Sequence, residues 1–597
     1  MSKRLICLLL SLVMVLAVCL TGCSKKSEEE VEEEIEKEAS EQATTLSVWL
    51  MTADDEHPVS DETAAMITEA VNKLTEKKFK TRLVLHFATP SEYYGKLDAA
   101  FAQRATVSGF TSTPAVSENG EEETVVNEWG LIEIAYPTVS DCQVDLFYLG
   151  GLANYNKYME QGLLTNVQSE LSSSTAEEIT KYVPAAFLDA MKTYTKSHTG
   201  KSGTYAIPNS TAIGEYTYML LNKEALSAAY RLTGDYSDYT SLTCDDVQHF
   251  LRFVSKAENG LSNRYYPIYT DMSEYEILAA NLQYWGVNEQ GELSDAFSVL
   301  GGYYDASAKY LDLNAYARIT NLLANETYVS EMRALLDYKL NSYFGTPETQ
   351  NGKKFAVGYV QDTLVNAMEQ YGDEYVILPM VAPRLTEEDL FSDMFAVSSY
   401  TSSKSRSMEI LKFLNTNEKF RNLILYGIEG EHYDLVESAE KNKLGENYQT
   451  VERRNDAYLL KAEQTGNVSI AYPLISDVVT VRDDMITQNL DADVSLCLGF
   501  YPGFDEFVVD MNSMQAIRTL SEQIWQQYIA CTTLAEFDNF IVNAQATVAA
   551  SADVLKHIDY DHGIDAETKE EAECDGSCGT LGCVYDKWLI EMEIKKK

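Results

Sequence analysis

Positive charge is scarce in this chain of 597 residues, which carries 47 lysines and arginines against 92 aspartates and glutamates. The formal net charge of −45 repels polyanions, so the bulk field argues against binding nucleic acid or an anionic ligand. A neutral ligand is compatible with this charge.

Histidine and the common catalytic motifs are also poorly represented. The chain has seven scattered histidines, no His-Glu-x-x-His pair, and no serine in a Gly-x-Ser-x-Gly elbow. Pairs of carboxylates that could serve a glycosidase are too common among 92 acids to single out any two. The sequence therefore predicts a protein that is not an enzyme, with no catalytic residue and no cofactor.

The apolar segment at the amino terminus, residues 5–20, is too short to serve comfortably as a transmembrane helix. Two basic residues precede it, which is typical of a secretory signal peptide, and we assign residues 1–22 to that signal. The closing run Leu-Thr-Gly-Cys at 20–23 resembles the lipobox of bacterial lipoproteins. This resemblance implies that Cys23 carries a lipid and begins the mature chain. An ordinary cleaved signal with an incidental cysteine is the alternative.

Residues 23–43 are rich in glutamate and nearly free of apolar side chains, so they cannot bury enough surface to fold alone. We interpret them as a lipidated, acidic tether whose like charges hold the folded part away from the membrane. The predicted location is the extracellular face of the cell membrane of a Gram-positive-type bacterium.

The rest of the chain exceeds what one core usually supports, so two or more lobes are expected. Apolar strands predicted at 45–50 and 81–87 each precede an amphipathic helix, the first of them with Ser60 placed to cap it, which favours an α/β fold. A later strand ends in Gly150-Gly151, where the backbone can turn sharply beside a ligand. The chain crosses to a second lobe after Pro208 and returns after Pro383. More than one crossing implies a hinge and a cleft.

These crossings give the predicted domain boundaries. They are 44–210 for the first part of lobe 1 with a loop insertion at 105–130, 211–383 for the first part of lobe 2 with a run of helices from 244 to about 343, 384–480 for the return to lobe 1, and 481–597 for helices of lobe 2 with a cysteine-bearing insertion at 559–583.

Three cysteines, Cys574, Cys578 and Cys583, follow His557 and His562 near the carboxyl end. Their spacing does not match the two-residue pairs of common zinc sites. In an exported chain a disulfide between two of the three is the preferred interpretation, and the pairing is left open. Zinc, or calcium on the neighbouring acidic residues, is the alternative, and no metal site is predicted.

Several different short motifs are spread along the chain between about residue 45 and residue 510. They are Val-Asp-Leu-Phe-Tyr-Leu-Gly-Gly at 144–151, Gly-Thr-Tyr-Ala-Ile-Pro at 203–208, Leu-Asn-Lys-Glu-Ala-Leu at 221–226, the segment 399–415, Leu-Tyr-Gly-Ile-Glu-Gly-Glu-His-Tyr at 425–433, Gly-Asn at 466–467 and Leu-Gly-Phe at 498–500.

In kind and order these motifs resemble the extracellular solute-binding proteins of bacterial ABC importers, family 1 of the carbohydrate type. The resemblance implies a two-lobed, periplasmic-binding-protein-like fold of type II with a hinge and an interlobe cleft. It also implies capture of an extracellular solute, expected to be an oligosaccharide, and its delivery to the transmembrane subunits of an ABC permease. The segments 105–130 and 559–583 depart from the family pattern.

The ligand-binding candidates are residues at predicted strand ends that should face the cleft, where aromatic rings cover sugar rings and polar groups pair with hydroxyls. They are Trp49, Thr52, Tyr148, Gly151, Tyr205, Glu215, Tyr216, Tyr359 and Tyr501. For each one, packing in a core or an ordinary surface position is the alternative. Two other functions remain open at this point, namely a surface glycoside hydrolase and a ligand sensor for a membrane kinase.

Overall fold

The structure is a computed structural model. It describes residues 43–107, 112–113, 124–126, 132–134, 136–174, 176–209, 211–230, 244–279, 282–284, 286–287, 293–294, 297–303, 318–346, 350–441, 447–494, 498–500, 509–558 and 579–592.

The strands are short and numerous. They are β1 (Thr44–Met51), β2 (Thr81–Ala88), β3 (Ser112–Thr113), β4 (Thr124–Val126), β5 (Ile132–Ile134), β6 (Thr138–Val139), β7 (Leu146–Gly150), β8 (Ile207–Pro208), β9 (Tyr216–Asn222), β10 (Tyr265–Thr270), β11 (Leu282–Tyr284), β12 (Gly286–Val287), β13 (Leu293–Ser294), β14 (Leu300–Tyr303), β15 (Arg318–Asn321), β16 (Lys354–Asp362), β17 (Tyr375–Val381), β18 (Arg384–Leu385), β19 (Asp393–Val397), β20 (Tyr433–Lys441), β21 (Asn447–Arg453) and β22 (Asp493–Val494).

The described residues also form eighteen α-helices, which range from four to nineteen residues in length. They are α1 (Asp61–Phe79), α2 (Pro90–Thr106), α3 (Leu152–Glu160), α4 (Gln168–Leu171), α5 (Ala185–Thr199), α6 (Lys223–Tyr230), α7 (Cys244–Ser255), α8 (Glu274–Ala279), α9 (Glu326–Leu340), α10 (Leu364–Tyr371), α11 (Glu387–Leu390), α12 (Lys404–Thr416), α13 (Glu418–Tyr426), α14 (Val481–Asp491), α15 (Met511–Ile529), α16 (Leu534–Ala550), α17 (Ala552–Ile558) and α18 (Leu581–Glu591), with short 3-10 helices at Glu177–Lys181, Ala257–Asn259, Leu261–Asn263, Leu322–Ala324, Ala462–Gln464 and Val468–Ile470.

Lobe 1 is built on a five-stranded sheet with the order β2-β1-β7-β19-β8. Strands β1, β2 and β7 are parallel, and β19 runs antiparallel to β7 and to β8. Helices cover the sheet and join it in one large apolar core. The first helix, α1, begins where the sequence predicts, since the Ser60 hydroxyl accepts a hydrogen bond from the Thr63 backbone N–H.

Lobe 2 is built on a four-stranded sheet with the order β10-β16-β9-β17. Strands β10 and β16 are parallel, while β9 runs antiparallel to β16 and to β17. One face of this sheet forms the core with the carboxyl-terminal helices. The opposite face is a smaller cluster in which the rings of Tyr216 and Tyr218 stack 5.2 Å apart.

Two details differ from the sequence-based expectations. The segment 244–343 is not a run of helices, because it contributes β10 to the second sheet and holds several further short strands. The prediction failed because the apolar residues of 265–270 are too few to show a period, and pairing with the distant β16 decides their conformation. The expected loop insertion at 105–130 contains β3 and β4, which pair with β6 and β5.

The chain crosses between the two cores three times. The first core ends at Ile213 and resumes at Leu385, and its last member is Leu498. The second core takes over at Met219, and again at Phe500. The expected α/β, two-lobed fold class is confirmed, and residues of the segment 481–597 pack on both lobes.

The second and third crossings lie side by side. Strand β18, just after the second crossing, pairs in parallel with β22, just before the third. Within the described part of the chain, no helix combines the length and the apolar content that spanning a bilayer requires.

Candidate functional site in the interlobe cleft

Sheet topology brings several strand ends of lobe 1 to one edge. Because β1, β2 and β7 are parallel, their carboxyl ends share an edge, and the antiparallel β19 begins there with Asp393 paired to Gly150. The chain leaves this edge through Gly151, whose φ of 86° favours glycine. The Gly151 N–H donates to the carbonyls of Phe391 and Ser392, both at 2.9 Å.

Tyr148 and Asp393 form the most tightly bonded pair at this edge. The Tyr148 hydroxyl donates to Asp393 Oδ1 at 2.5 Å. Burial raises the pKa of the Asp393 carboxyl, and the hydrogen bond from Tyr148 opposes that rise. A Cβ atom added to Gly150 would lie 2.2 Å from the Tyr148 hydroxyl, so only glycine fits beside this ring.

Two buried amides next to Asp393 hold oxygen atoms that lack a donor among the described residues. Asn209 donates its backbone N–H to the Asp393 carbonyl and its Nδ2 to the Glu463 carbonyl at 2.8 Å, which leaves Oδ1 without a partner. The Oε1 atom of Gln464 is likewise buried and has no donor among the described residues. A buried acceptor without a donor costs about 1–3 kcal/mol. Both oxygens are shielded from solvent in this structure, so a ligand would supply the missing donors only where a local movement exposes them.

Lobe 2 presents carboxylates at its own sheet edge. Asp362 closes β16, Asp271 follows β10, and Glu215 precedes β9, so the register places all three at the same end of the sheet. Asp271 accepts a hydrogen bond from the backbone of Gln361. Burial and the neighbouring Asp362 raise the pKa of the Asp271 carboxyl.

Charges from the two lobes meet at Glu215. Desolvation raises the pKa of its carboxyl, and the negative charges of Asp362, Asp389 and Asp271 raise it further. Asp389 belongs to α11 of lobe 1, two residues before the carbonyl that Gly151 contacts. Asp389 of lobe 1 is therefore close enough to Glu215 of lobe 2 for their charges to interact across the cleft. The cleft walls carry mostly carboxylates, with Lys461 near Asp393 on the lobe 1 side. Such walls suit neutral donors or cations and repel anions.

The structure divides the sequence-predicted ligand residues into four groups. Tyr148, Gly151, Glu215 and Tyr216 lie at the two edges, although Tyr148 and Tyr216 are only 4% and 5% exposed. The Tyr216 hydroxyl donates to Asp491 at 2.9 Å. Tyr205 is half-buried against the first core. Their contact with a ligand stays a prediction.

Three other candidates lie inside the protein. Trp49 is buried, its ring stacks on His86 at 4.6 Å, and its indole N–H donates to the Gln143 carbonyl. Thr52 is 1% exposed and donates to the Asp54 carbonyl. Tyr359 belongs to the core of lobe 2. The strand-end argument misplaced Trp49, because β1 continues to Met51 before it reaches the edge.

Several predicted features fall outside the described residues. They are the signal and tether with Cys23, and Tyr501, His562, Cys574 and Cys578. Cys583 is buried in α18. Both ring nitrogens of His557 are engaged, since Nδ1 accepts from the Leu581 N–H and Nε2 bonds the Ser513 hydroxyl. Within the described ranges no group of three or more His, Cys, Asp or Glu side chains is placed to hold a metal ion.

Sequence reasoning missed five residues of the site, namely Asn209, Asp271, Asp362, Asp393 and Gln464. Two of them carry a usable signal, because Asp271 directly follows a tyrosine-rich strand and Asp362 ends a largely apolar one. Asn209 and Gln464 carried none, since their proximity to Asp393 arises only from the fold.

The two apolar cores and their sheets define a two-lobed α/β protein. No protein-family model and no curated protein sequence matches the chain.

Solved structures of similar fold come from several bacteria. One is the N-glycan transport solute binding protein NgtS from Streptococcus pneumoniae, with a TM-score of 0.47 and 14% identity over 92% of this chain and 99% of that one. Another is an HMO binding, ABC-transporter associated solute binding protein from Bifidobacterium longum infantis, with a TM-score of 0.40 and 14% identity over 93% and 100%. The ABC substrate-binding protein Lmo0181 from Listeria monocytogenes, in complex with cycloalternan, has a TM-score of 0.31 and 10% identity over 85% and 100%. At these identities the likeness concerns the fold alone.

Proposed function

We propose that the chain is the substrate-binding component of an ABC importer, which captures an extracellular oligosaccharide between its lobes and delivers it to the permease subunits. The observation that carries the proposal is the facing of two strand edges that both present acceptors. Asn209 and Asp393 lie at one edge, and Asn209 contacts the Ala462–Gln464 turn beside it. Asp271 and Asp362 line the other.

A neutral glycan matches these walls because its many hydroxyls donate hydrogen bonds without bringing negative charge. The buried oxygens of Asn209 and Gln464 need donors, and each new bond would remove part of a penalty of about 1–3 kcal/mol. The net charge of −45 disfavours an anionic sugar. The similar structures named above carry the names of N-glycan, HMO and cycloalternan binders, and the proposal for this chain rests on its own cleft.

Capture works through closure of the lobes. A ligand that bonds both edges binds the closed arrangement better than the open one and so shifts the population toward closure. The three crossings supply the hinge for this movement. No covalent step is needed, since a micromolar Kd requires only about −8 kcal/mol.

The amino terminus would keep this cleft near its permease. We propose that Cys23 carries diacylglycerol and that residues 23–43 hold the lobes off the extracellular face of the membrane. A Cys23→Ser substitution should release the protein into the medium and abolish incorporation of a radiolabelled fatty acid. Retention of both the label and the membrane location would contradict the anchor.

Isothermal calorimetry tests the ligand class directly. Neutral linear and branched oligosaccharides, a polyamine and a peptide mixture are titrated into the purified protein, and we expect binding by at least one oligosaccharide. Asp393→Asn should weaken that binding by about tenfold, or 1.4 kcal/mol. Asp373→Asn, which changes an exposed acid just before Tyr375 at the opposite end of the lobe 2 sheet, is the matched control and should leave the Kd unchanged. Tight polyamine or peptide binding without any glycan binding would overturn the ligand class.

The hydrolase alternative uses the same carboxylates and is settled with the same samples. Prolonged incubation of a bound oligosaccharide should leave its reducing ends unchanged in number. Release of new reducing ends that is lost in Asp362→Asn would instead favour hydrolysis. Unimpaired glycan uptake in a strain lacking this gene would favour a sensor over a transport component.

A further inference from the structure

A second concave site lies on lobe 1, beside helix α14. It is a pocket of about 360 Å³ bounded by β21, the Val468–Ile470 turn, the beginning of α13 and one side of α14. A volume of this order holds a ligand of one or two sugar rings. None of the cleft residues named above lines this pocket.

The lining combines aromatic rings with hydrogen-bonding groups. Tyr182, Tyr448 and Tyr472 contribute rings, and Asp483 and Gln449 contribute a carboxylate and an amide. The Tyr448 hydroxyl donates to Asp483 Oδ2 at 2.9 Å, so the carboxylate is held in place at the pocket wall. Ring faces suit the C–H side of a sugar, and a fixed carboxylate beside an amide suits its hydroxyls.

The charge of the lining residues further restricts the class of ligand that the pocket can bind. Glu418 adds a second carboxylate, and no lysine, arginine or histidine is among the lining residues. An anion would meet repulsion without compensation in this pocket. Three tyrosines with amide and carboxylate groups match an uncharged ring with several hydroxyls.

We propose that this pocket is a second small-molecule site, separate from the interlobe cleft, which binds a neutral, hydroxyl-rich ring of monosaccharide size. This site is independent of whatever occupies the cleft. It consists of the pocket, its rings and the carboxylate that Tyr448 holds.

The pocket is mechanically connected to the hinge through α14. From Asp483 to Asp491 this helix spans about 12 Å, at 1.5 Å per residue. The far end of α14 is hydrogen-bonded to the first crossing, because Gln488 Nε2 donates to the Gly214 carbonyl at 2.6 Å. Gln488 Oε1 also accepts from the Leu364 N–H at the start of α10 in lobe 2. A ligand that fixes the near end of α14 therefore acts on the element that holds the two lobes together.

Ligand-detected NMR on the full chain tests the site with defined probes. Free mannose, N-acetylglucosamine, galactose and glucose are titrated one at a time, and we expect at least one to saturate with a Kd of about 1 mM or lower. Ile486→Trp should weaken this binding by about tenfold or more, because Ile486 lines the pocket and a larger ring would fill it. Asp483→Asn, which keeps the size of the side chain, should also weaken it.

Two controls separate this site from the cleft and from misfolding. Ile475→Trp places the same bulk on a side chain that is 56% exposed and outside the lining, and it should leave the Kd unchanged. Asp393→Asn in the cleft should leave monosaccharide binding unchanged too. The proposal is overturned if no probe binds, if Ile486→Trp binds as well as Ile475→Trp at equal thermal stability, or if Asp393→Asn weakens monosaccharide binding as much as Ile486→Trp does. Loss of glycan binding in the cleft alone would leave it standing.

Discussion

Asn489 holds the backbone of Ile213 at the first crossing between the lobes. Its Oδ1 accepts from the Ile213 N–H at 3.0 Å, while its Nδ2 donates to the Thr211 carbonyl at 2.7 Å. Asn489 is only 6% exposed, and its bond to Ile213 is buried while its bond to Thr211 is partly buried. One side chain of α14 therefore fixes the conformation of a segment that any lobe movement must bend.

Asn489→Ala should lower the free energy of unfolding by about 1–3 kcal/mol. The substitution leaves the buried Ile213 N–H and the partly buried Thr211 carbonyl without partners. Urea denaturation measures the change. The matched control is Asn539→Ala on the exposed face of α16, which should stay within about 0.5 kcal/mol of the parent. Equal effects of the two substitutions would show that the crossing does not depend on Asn489.

His557 should make the protein sensitive to acid. Burial lowers the pKa of its ring to about 4, against 6.5 for an unperturbed histidine. The unfolded chain therefore takes up a proton below about pH 6.5 that the folded chain refuses, so stability is lost as the pH falls from there toward 4. Between pH 8 and pH 5 this group alone accounts for about 2 kcal/mol.

His557→Gln checks that assignment by difference. The variant should be less stable than the parent at pH 8, because the Leu581 N–H and Ser513 lose a well-placed partner. The stability deficit of the variant relative to the parent should shrink toward pH 5, since the unfolded variant takes up no proton at position 557. Urea unfolding at both pH values measures this, and a deficit that is constant with pH would contradict the lowered pKa.

Glu215 should respond to pH in the opposite sense. Its pKa is raised by desolvation and by the acids around it, so the folded state is penalised when the carboxyl ionises. Because Glu215 is exposed, solvent screening keeps this penalty small. Glu215→Gln should therefore raise the melting temperature at pH 7, and this gain should disappear as the pH falls to about 4. Glu258→Gln, at an exposed acid outside the cleft, should show no gain at either pH.

Trp588 should be among the most costly side chains to truncate. It is fully buried in α18 and packs 5.4 Å from the ring of Phe500, while its indole N–H donates to Ser197 in lobe 1 at 3.0 Å. Trp588→Ala should destabilise by about 3–5 kcal/mol through loss of packing. Val542→Ala on α16, where the side chain is 62% exposed, is the truncation control and should cost less than about 0.5 kcal/mol. Calorimetric melting measures both.

The features that could be predicted from sequence are those that local spacing determines. The Ser60 cap and the apolar repeat that follows it locate α1 within a few residues, because both signals lie within the helix itself. The alternation of strands and helices likewise indicates an α/β protein. Strand β10 was missed because its conformation depends on β16, about ninety residues later in the chain.

The cleft was harder to predict than the lobes. The position of Gly151 and Glu215 at strand ends could be predicted, because glycine and acidic residues at strand ends carry a local signal. The approach of Asp389 to Glu215 joins residues from different lobes, and the unsatisfied oxygen of Asn209 is defined by what surrounds it. Properties of that kind exist only after the chain has folded, so no window of sequence contains them.

The parallel pairing of β18 with β22 restricts how the lobes can move. The two segments that follow the second crossing and precede the third are hydrogen-bonded to each other, so we expect them to be displaced together in any movement of the lobes. Such coupling would return the two cleft walls to the same relative position at each closure.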